Sequence, residues 1–431
     1  MNRNKNKPIS SMYIHFPYCK HLCNFCDFYK LKITTLDSEI ESADSSKFQF
    51  YHQYLSDQMD NLRVKFQQFG FAINEINLET LYIGGGTPSL WGKEGANFLR
   101  DFFKKNNISL DFQLNNSLNS GERTLEIDPG AFSVEGLKSW IDFGINRFSI
   151  GIQTLDENIF PLMDRSYSLK TARSSLDIIF HEFKGINKSI DFMMGLPMKN
   201  QSYRRNIIKE LDIILNYQPQ HISFYFLTVG NQYPLKKMIP QDDLLREEYL
   251  LVCDHLKKHG YNHYEVSNFA LPQYESIHNK KYWNLESMLA LGPSATGFLN
   301  LIEEEILDGT LAVANGKNSA VRFKGNYFTQ VQKSEQKDFY NWEFLGQEEL
   351  LIERVYLSLR TKKGLCPKEL FSLNDQDSYQ ILCGDWLTKG YLLEVSDGAK
   401  NYWDHTVLSD LGLIMLDSLM GDLFRELKHT W

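Results

Sequence analysis

The chain has 431 residues, 42% of them hydrophobic and 13% aromatic, which is enough apolar material for a large core and two or three domains. A net charge of −8 leaves no footprint for a nucleic-acid backbone, and no apolar run approaches a membrane span. Six cysteines are too few for a disulfide framework. Strand-like sequence, not a leader, follows the basic start Met1-Asn-Arg-Asn-Lys-Asn-Lys7, so a soluble cytoplasmic protein with reduced thiols is expected.

Short strands alternate with helical segments from residue 12 to about 230. The expected strands are Met12–Phe16, Leu78–Ile83, Arg123–Ile127, Arg147–Ile152, Ser189–Met193 and His221–Leu227. Helix-period stretches separate them: Phe48–Phe69, a segment opened by the N-cap candidate Ser133, Leu169–Phe183 and Tyr203–Tyr217. Residues 34–46 and 106–121 read as surface loops. Six strands each followed by a helix predict an α/β fold, a parallel sheet curling toward a barrel with all strand C-termini on one ligand-binding rim. Past 230 the alternation is irregular, and from Gln330 the pattern is helical, closing with Val407–Leu427. The expected division is 1–235 for the barrel core, 236–329 for a connecting region and 330–431 for a smaller helical domain.

Cys19, Cys23 and Cys26 follow the first strand at C-x3-C-x2-C spacing. Three thiolates fill three corners of a [4Fe–4S] cubane and leave one iron open for chemistry. A zinc site completed by His15 or His21 is the competing reading, but structural zinc usually pairs two ligand clusters, and Cys253, Cys366 and Cys383 are scattered singly. Those three are expected to be small buried hydrophobes.

Other motifs fall on the same rim. Gly84-Gly-Gly-Thr87-Pro follows the second strand, where glycines let backbone approach a ligand closely. Alone, such a triplet is more often just a tight turn. Glu126 ends the third strand, Gln153 the fourth, and Asp191 lies on the fifth, with Arg165 between the last two. Together they suit a zwitterionic, ribose-bearing ligand: Glu126 toward an ammonium, Arg165 toward a carboxylate, Gln153 and Asp191 toward hydroxyls. S-adenosylmethionine carries all these groups.

With C-x3-C-x2-C, Gly-Gly-Gly-Thr-Pro and Thr124-Leu-Glu-Ile-Asp-Pro129, the chain resembles the radical S-adenosylmethionine superfamily. It is most similar to the HemN/HemW branch, which holds oxygen-independent coproporphyrinogen III oxidases and heme chaperones. Gly144-Ile-Asn-Arg-Phe-Ser-Ile-Gly-Ile-Gln153, His221-Ile-Ser-Phe-Tyr-Phe-Leu-Thr228 and Gly260-Tyr-Asn-His-Tyr-Glu-Val-Ser-Asn-Phe-Ala270 extend the likeness. The resemblance implies a partial (β/α)6 barrel with a smaller, mainly helical C-terminal domain. It also implies a [4Fe–4S] cluster on the three cysteines and S-adenosylmethionine against Tyr13, Gly84, Gly85, Gly86, Thr87, Glu126, Gln153, Arg165 and Asp191.

Within the branch, the oxidase pattern places another cysteine where this chain has Phe28. His278-Asn-Lys-Lys-Tyr-Trp283 fits the heme motif of the chaperones. It offers His278 as an iron ligand, Tyr282 and Trp283 as flat faces, and Lys280 and Lys281 to propionates. One departure is Asp164-Arg-Ser-Tyr167, where the chaperones carry Gly-Arg-x-His. The implied function is a heme chaperone that needs an acceptor protein and an electron donor. The alternatives are a coproporphyrinogen III oxidase, converting propionates to vinyl groups by radical decarboxylation, and a zinc-stabilised barrel without radical chemistry. The resemblance names no catalytic residue.

Overall fold

The computed structural model describes residues 9–33, 43–69, 73–110, 121–200, 203–300, 320–334, 338–394 and 401–427. It divides into two compact units, Met1–Ile190 with Ser276–Leu345, and Asp191–Glu275 with Gly346–Trp431. Each unit is therefore built from two stretches of chain, whereas the sequence pattern suggested contiguous cuts after 235 and 329.

In the first unit the first strand (Ser11–Phe16), the second (Thr80–Gly85), the third (Glu122–Ile127) and the fourth (Arg147–Gln153) pair side by side, all parallel. A short strand, Leu289–Leu291, joins the free edge of the first strand, also in parallel. Period-two alternation explains the two faces of this sheet. Met12, Ile14, Leu81, Ile83, Leu125, Phe148 and Ile150 are entirely buried on one face. The other face is polar from end to end. Its rows, set by the strand register, are Ser11–Thr80–Glu122, then Tyr13–Tyr82–Thr124–Arg147, then His15 beside Gly84 with Glu126 beside Ser149. The rim at the strand C-termini thus carries the cysteine loop, the glycine triplet, Glu126 and Gln153.

The helices between these strands begin as their sequences dictate. Ser133 accepts a hydrogen bond from the Gly136 N–H, and Ser168 one from Thr171, opening helices Val134–Phe143 and Leu169–Glu182. The helix expected at Phe48 starts earlier and spans Ala43–Gln68. Of the expected loop 106–121, Ile108–Leu110 is a strand paired in parallel with Ile76–Leu78, and 111–120 lies outside the described residues, as does 34–42.

The pattern expected to be helical from 330 opens with the short helix Phe328–Lys333 but is broken by a strand. Tyr340–Leu345 is a strand, paired antiparallel with Ala320–Gly325, which itself pairs with Thr296–Asn300. Tyr340, Trp342 and Phe344 favour strand over helix, and their pairing with the partner strand decides the matter.

The fifth strand (Asn187–Met194) carries the chain into the second unit. There the sixth strand (His221–Phe226) pairs antiparallel with Asn268–Ala270, which pairs with Asn262–Glu265. Helices Gln347–Leu359, Gln376–Thr388, Asp410–Ile414 and Leu416–Glu426 enclose an apolar core around Val355, Leu359, Tyr379, Trp386 and Leu423. The C-terminal region is therefore helical, as expected. The closing helical segment expected over Val407–Leu427 forms two helices, Asp410–Ile414 and Leu416–Glu426, joined at Met415.

Candidate functional site

The cysteine loop leaves the first strand and is fastened from three directions. Ile33 N–H donates to the Cys19 carbonyl at 2.9 Å, and Thr87 N–H to the Tyr18 carbonyl at 2.9 Å. Asn24 N–H donates to Asp164 Oδ2 at 3.2 Å, while His21 Nε2 lies 3.2 Å from Asp164 Oδ1. Asp164 adopts φ 46°, a left-handed conformation in which glycine is at ease. The carboxylate that departs from the family pattern is therefore put to use, tying the Arg165 segment to the cysteine loop.

Cys19 is buried and Cys23 and Cys26 are half-buried; none is in a disulfide. Burial pushes the Cys19 thiol up to about 11, partly countered by a hydrogen bond with Thr87. Burial also raises Cys23, and Arg165 opposes that rise. A lone zinc ion holding sulfurs at about 2.3 Å would need them roughly 3.8 Å apart. Among the described residues one Cys/His/Asp/Glu trio has its donor atoms within 4.8 Å of one another, and it is Cys253, His263 and Asp410. The rim cysteines, with or without His15 or His21, are not gathered at mononuclear spacing. His15 is committed elsewhere: its Nε2 lies 2.8 Å from the Tyr29 carbonyl and its Nδ1 3.1 Å from the Tyr13 hydroxyl. Of the two candidate fourth ligands for zinc, His15 is therefore occupied, and His21 lies against Asp164. The Cys253 trio is an ion-pair node, because Asp410 also receives Lys257 and Lys362.

The glycines each have a distinct steric reason. A Cβ on Gly84 would stand 2.7 Å from Glu126 Oε1. One on Gly85, at φ +111°, would stand 2.6 Å from the His15 ring, and one on Gly86 2.8 Å from the Tyr18 carbonyl. Glu126 is held by the Tyr82 hydroxyl at 3.0 Å and the Gly85 N–H at 3.0 Å. Tyr13 neighbours both; burial, then the Glu126 charge, hold its hydroxyl well above the usual range. Gln153 ends the fourth strand at φ 63°, and its Oε1 is buried with no hydrogen-bond partner among the described residues. An orphaned acceptor at a strand end fits a ligand hydroxyl. Asp191 lies in the fifth strand, as the first residue of the second unit.

Arg165 is not an open carboxylate receptor. Its Nη2 donates to Asp128 Oδ2 at 2.5 Å and to the Tyr167 hydroxyl at 2.5 Å, and its Nη1 points to Cys23 Sγ at 3.9 Å. Burial works against its charge, but Asp128, Tyr167 and Cys23 more than offset this. Tyr167, in place of the family histidine, thus orients the guanidinium, and it packs on Gly130, where a Cβ would come within 2.3 Å of its ring.

The His278–Trp283 segment is the short helix Ile277–Trp283, set at the opposite end of the polar face from the cysteines. His278 Nδ1 meets Thr80 Oγ1 at 2.9 Å, and the ring lies 5.3 Å from the ring of Tyr82. Tyr82 stands between His278 and Glu126, its ring 5.3 Å from that of His278 and its hydroxyl 3.0 Å from Glu126. His278 is 1% exposed; its Nε2 is buried with no hydrogen-bond partner among the described residues. Burial, then Arg147 and Lys281, lower its pKa to about 3, so the imidazole is neutral, as metal ligation requires. Lys281, expected to meet a propionate, is buried instead, 2.8 Å from Glu79 and 3.0 Å from Glu286. Tyr282 is exposed and Trp283 half-buried.

Sequence reasoning overlooked Thr80, Tyr82, Glu122, Asp128 and Arg147. The alternation Ser-Met-Tyr-Ile-His-Phe in the first strand and Thr-Leu-Tyr-Ile in the second was the available signal, since it announces a polar inner face.

Comparison with known proteins agrees with this geometry. The radical SAM superfamily profile matches residues 13–211. The chain is 32% identical to the heme chaperone HemW of Buchnera aphidicola subsp. Schizaphis graminum over 306 residues, 70% of this chain and 73% of that protein. The chain belongs to the HemW family. It is 30% identical to heme chaperone HemW of Bacillus subtilis, covering 84% of this chain and 86% of the relative. With the zebrafish radical S-adenosyl methionine domain-containing protein 1, mitochondrial, it shares 27% identity over 97% and 88% of the two chains. Among solved structures, the coproporphyrinogen III oxidase HemN of Escherichia coli superposes with a TM-score of 0.69 at 17% identity, over 96% of this chain and 89% of that one. HemN thus shares the fold. Membership of the radical SAM superfamily implies a [4Fe–4S] cluster and S-adenosylmethionine, and the thiol loop and orphaned Gln153 acceptor fit them. No helix among the described residues is long and apolar enough to cross a membrane.

Proposed function

We propose that this HemW-family protein is a cytoplasmic heme chaperone that binds heme through His278 and passes it to an acceptor protein. Cys19, Cys23 and Cys26 would hold the cluster. The Gly84–Thr87 backbone with Tyr13, Glu126 and Gln153 would hold S-adenosylmethionine, and Arg165 would contribute charge beside Cys23. When bound, the cluster and S-adenosylmethionine supply one-electron redox chemistry, for which an electron donor is required. The chain's own residues do the rest: Glu126 presents a fixed carboxylate to the ammonium, and Asp128 keeps Arg165 charged and oriented.

The observation that carries the reading is His278, a neutral histidine with an unused buried nitrogen inside the heme motif of a HemW-family chain. Unpartnered buried nitrogens are uncommon and call for a reason. Heme titration of wild type against His278→Ala, with and without the reconstituted cluster, tests it; unchanged binding and spectrum in the variant would remove His278 as ligand. The oxidase reading ranks second, because HemN shares only the fold and the residue at the position of the additional oxidase cysteine, Phe28, is 65% exposed and offers no thiol. Conversion of coproporphyrinogen III with release of 5′-deoxyadenosine would reverse that order.

A further inference from the structure

Between Cys19 and Cys26 the chain has little of its own to hold it in shape. The backbone there contributes a bond of 3.4 Å from the Cys26 N–H to the Cys23 carbonyl, and Leu22 and Asn24 are exposed. Three thiols must nevertheless be presented together, and every residue ordered during cluster assembly costs conformational freedom. A loop already fixed by neighbours avoids that cost, which is why the partners around metal ligands affect affinity strongly.

One carboxylate grips this loop on both sides of Cys23. Asp164 Oδ2 accepts from the Asn24 N–H at 3.2 Å, and Asp164 Oδ1 stands 3.2 Å from the enclosed His21 Nε2. The anchor behind these contacts is rigid. The turn Phe160–Met163 precedes Asp164, with both Phe160 and Met163 buried, and Arg165 after it is bound to Asp128 just past the third strand. Asp164 itself sits at φ 46°, ψ 47°, where glycine would be more at ease. Its backbone therefore gives no reason for an acid here, whereas the two contacts to the cysteine loop do.

Resting on the assignment of the cluster to Cys19, Cys23 and Cys26, we propose that Asp164 is a positioning residue for the cluster, acting through His21 and Asn24. It holds the loop in its ligating shape before iron arrives and resists the opening by which iron escapes. Positive charge at Cys23 Sγ comes from the Arg165 guanidinium at 3.9 Å, so the part played by Asp164 is geometric.

Iron release from the anaerobically reconstituted full chain to a ferrous chelator, followed as the coloured complex, tests this. Asp164→Gly should release iron about tenfold faster than wild type. Its metal-free form should melt no lower, since glycine suits the left-handed backbone. Asp164→Asn keeps an acceptor for the Asn24 N–H and tolerates the same backbone, so its release should stay within about threefold of wild type. His21→Ala should quicken release about threefold in wild type and not at all in Asp164→Gly, because both changes remove one contact. Wild-type release in Asp164→Gly overturns the proposal, as do effects of His21→Ala and Asp164→Gly that multiply in the double variant. If Asp164→Gly does not fold, an unchanged rate in His21→Ala is sufficient to reject it. A wild-type chain that takes up no cluster overturns the cysteine assignment, and the role of Asp164 with it.

Discussion

Alanine at Gly84 should mainly weaken nucleotide binding and alanine at Gly85 mainly weaken folding, although the residues are adjacent. At Gly84 the backbone is ordinary, and the added methyl would press on the end of the Glu126 side chain at 2.7 Å and on the Tyr82 ring at 3.0 Å. Glu126 can swing away, at the expense of its bonds from the Tyr82 hydroxyl and the Gly85 N–H. Its carboxylate then no longer stands where the ammonium of S-adenosylmethionine is proposed to bind. Folding should weaken by about 1–3 kcal/mol, while affinity for the nucleotide falls at least tenfold, worth about 1.4 kcal/mol. At Gly85 the methyl meets φ +111° and the buried His15 ring at 2.6 Å, neither of which can yield cheaply. Conformational strain of about 1–3 kcal/mol and overpacking of about 1–3 kcal/mol add to a loss of about 2–6 kcal/mol in folding. The assay pairs thermal unfolding with calorimetric titration of S-adenosylmethionine into anaerobically reconstituted protein. If Gly84→Ala proves as unstable as Gly85→Ala, yet binds the nucleotide normally per folded molecule, the steric reasoning about Glu126 is wrong.

Three further outcomes follow from the same geometry. Alanine at Cys19, Cys23 or Cys26 should each abolish stable cluster assembly, measured as iron and sulfide per chain, whereas alanine at Cys253, Cys366 or Cys383 should not; a full cluster in any rim variant shows that ligand to be misassigned. Arg165→Lys cannot serve Asp128, Tyr167 and Cys23 at once, so its reduced cluster should give an altered electron paramagnetic resonance signal; an unaltered signal would show that the guanidinium does not act on the cluster. Burial opposes ionisation of Asp410, but hydrogen bonds from His263 and Lys257 outweigh it and hold the carboxyl well below the usual range. Its stabilising contribution is therefore complete above the unfolded pKa of about 4 and is lost as pH falls through the folded value. Asp410→Asn should cost about 2 kcal/mol at pH 7 and progressively less below pH 4; a constant deficit across that range would refute the linkage.

Much of this was legible in the residues themselves. The C-x3-C-x2-C loop, the glycine triplet and the alternation of strands and helices are local patterns, and local patterns record what short stretches of chain must do: turn, cap, pair or expose a thiol. The six core strands are observed close to where period and composition put them, and Ser133 caps its helix as its position before an apolar run requires. Tertiary structure decided what depends on register and on approach between distant segments. Glu122 and His278 are 156 residues apart, and no spacing rule relates them until the third strand delivers one beneath the helix that holds the other. Arg165 looked like a free cation in sequence and is bound to Asp128 and Tyr167 in space. Lys281 looked available to a propionate and is neutralised by Glu79 and Glu286. Charge partners are chosen by folding because a buried ion must find its counter-ion wherever the chain brings one, and sequence distance carries no information about that choice.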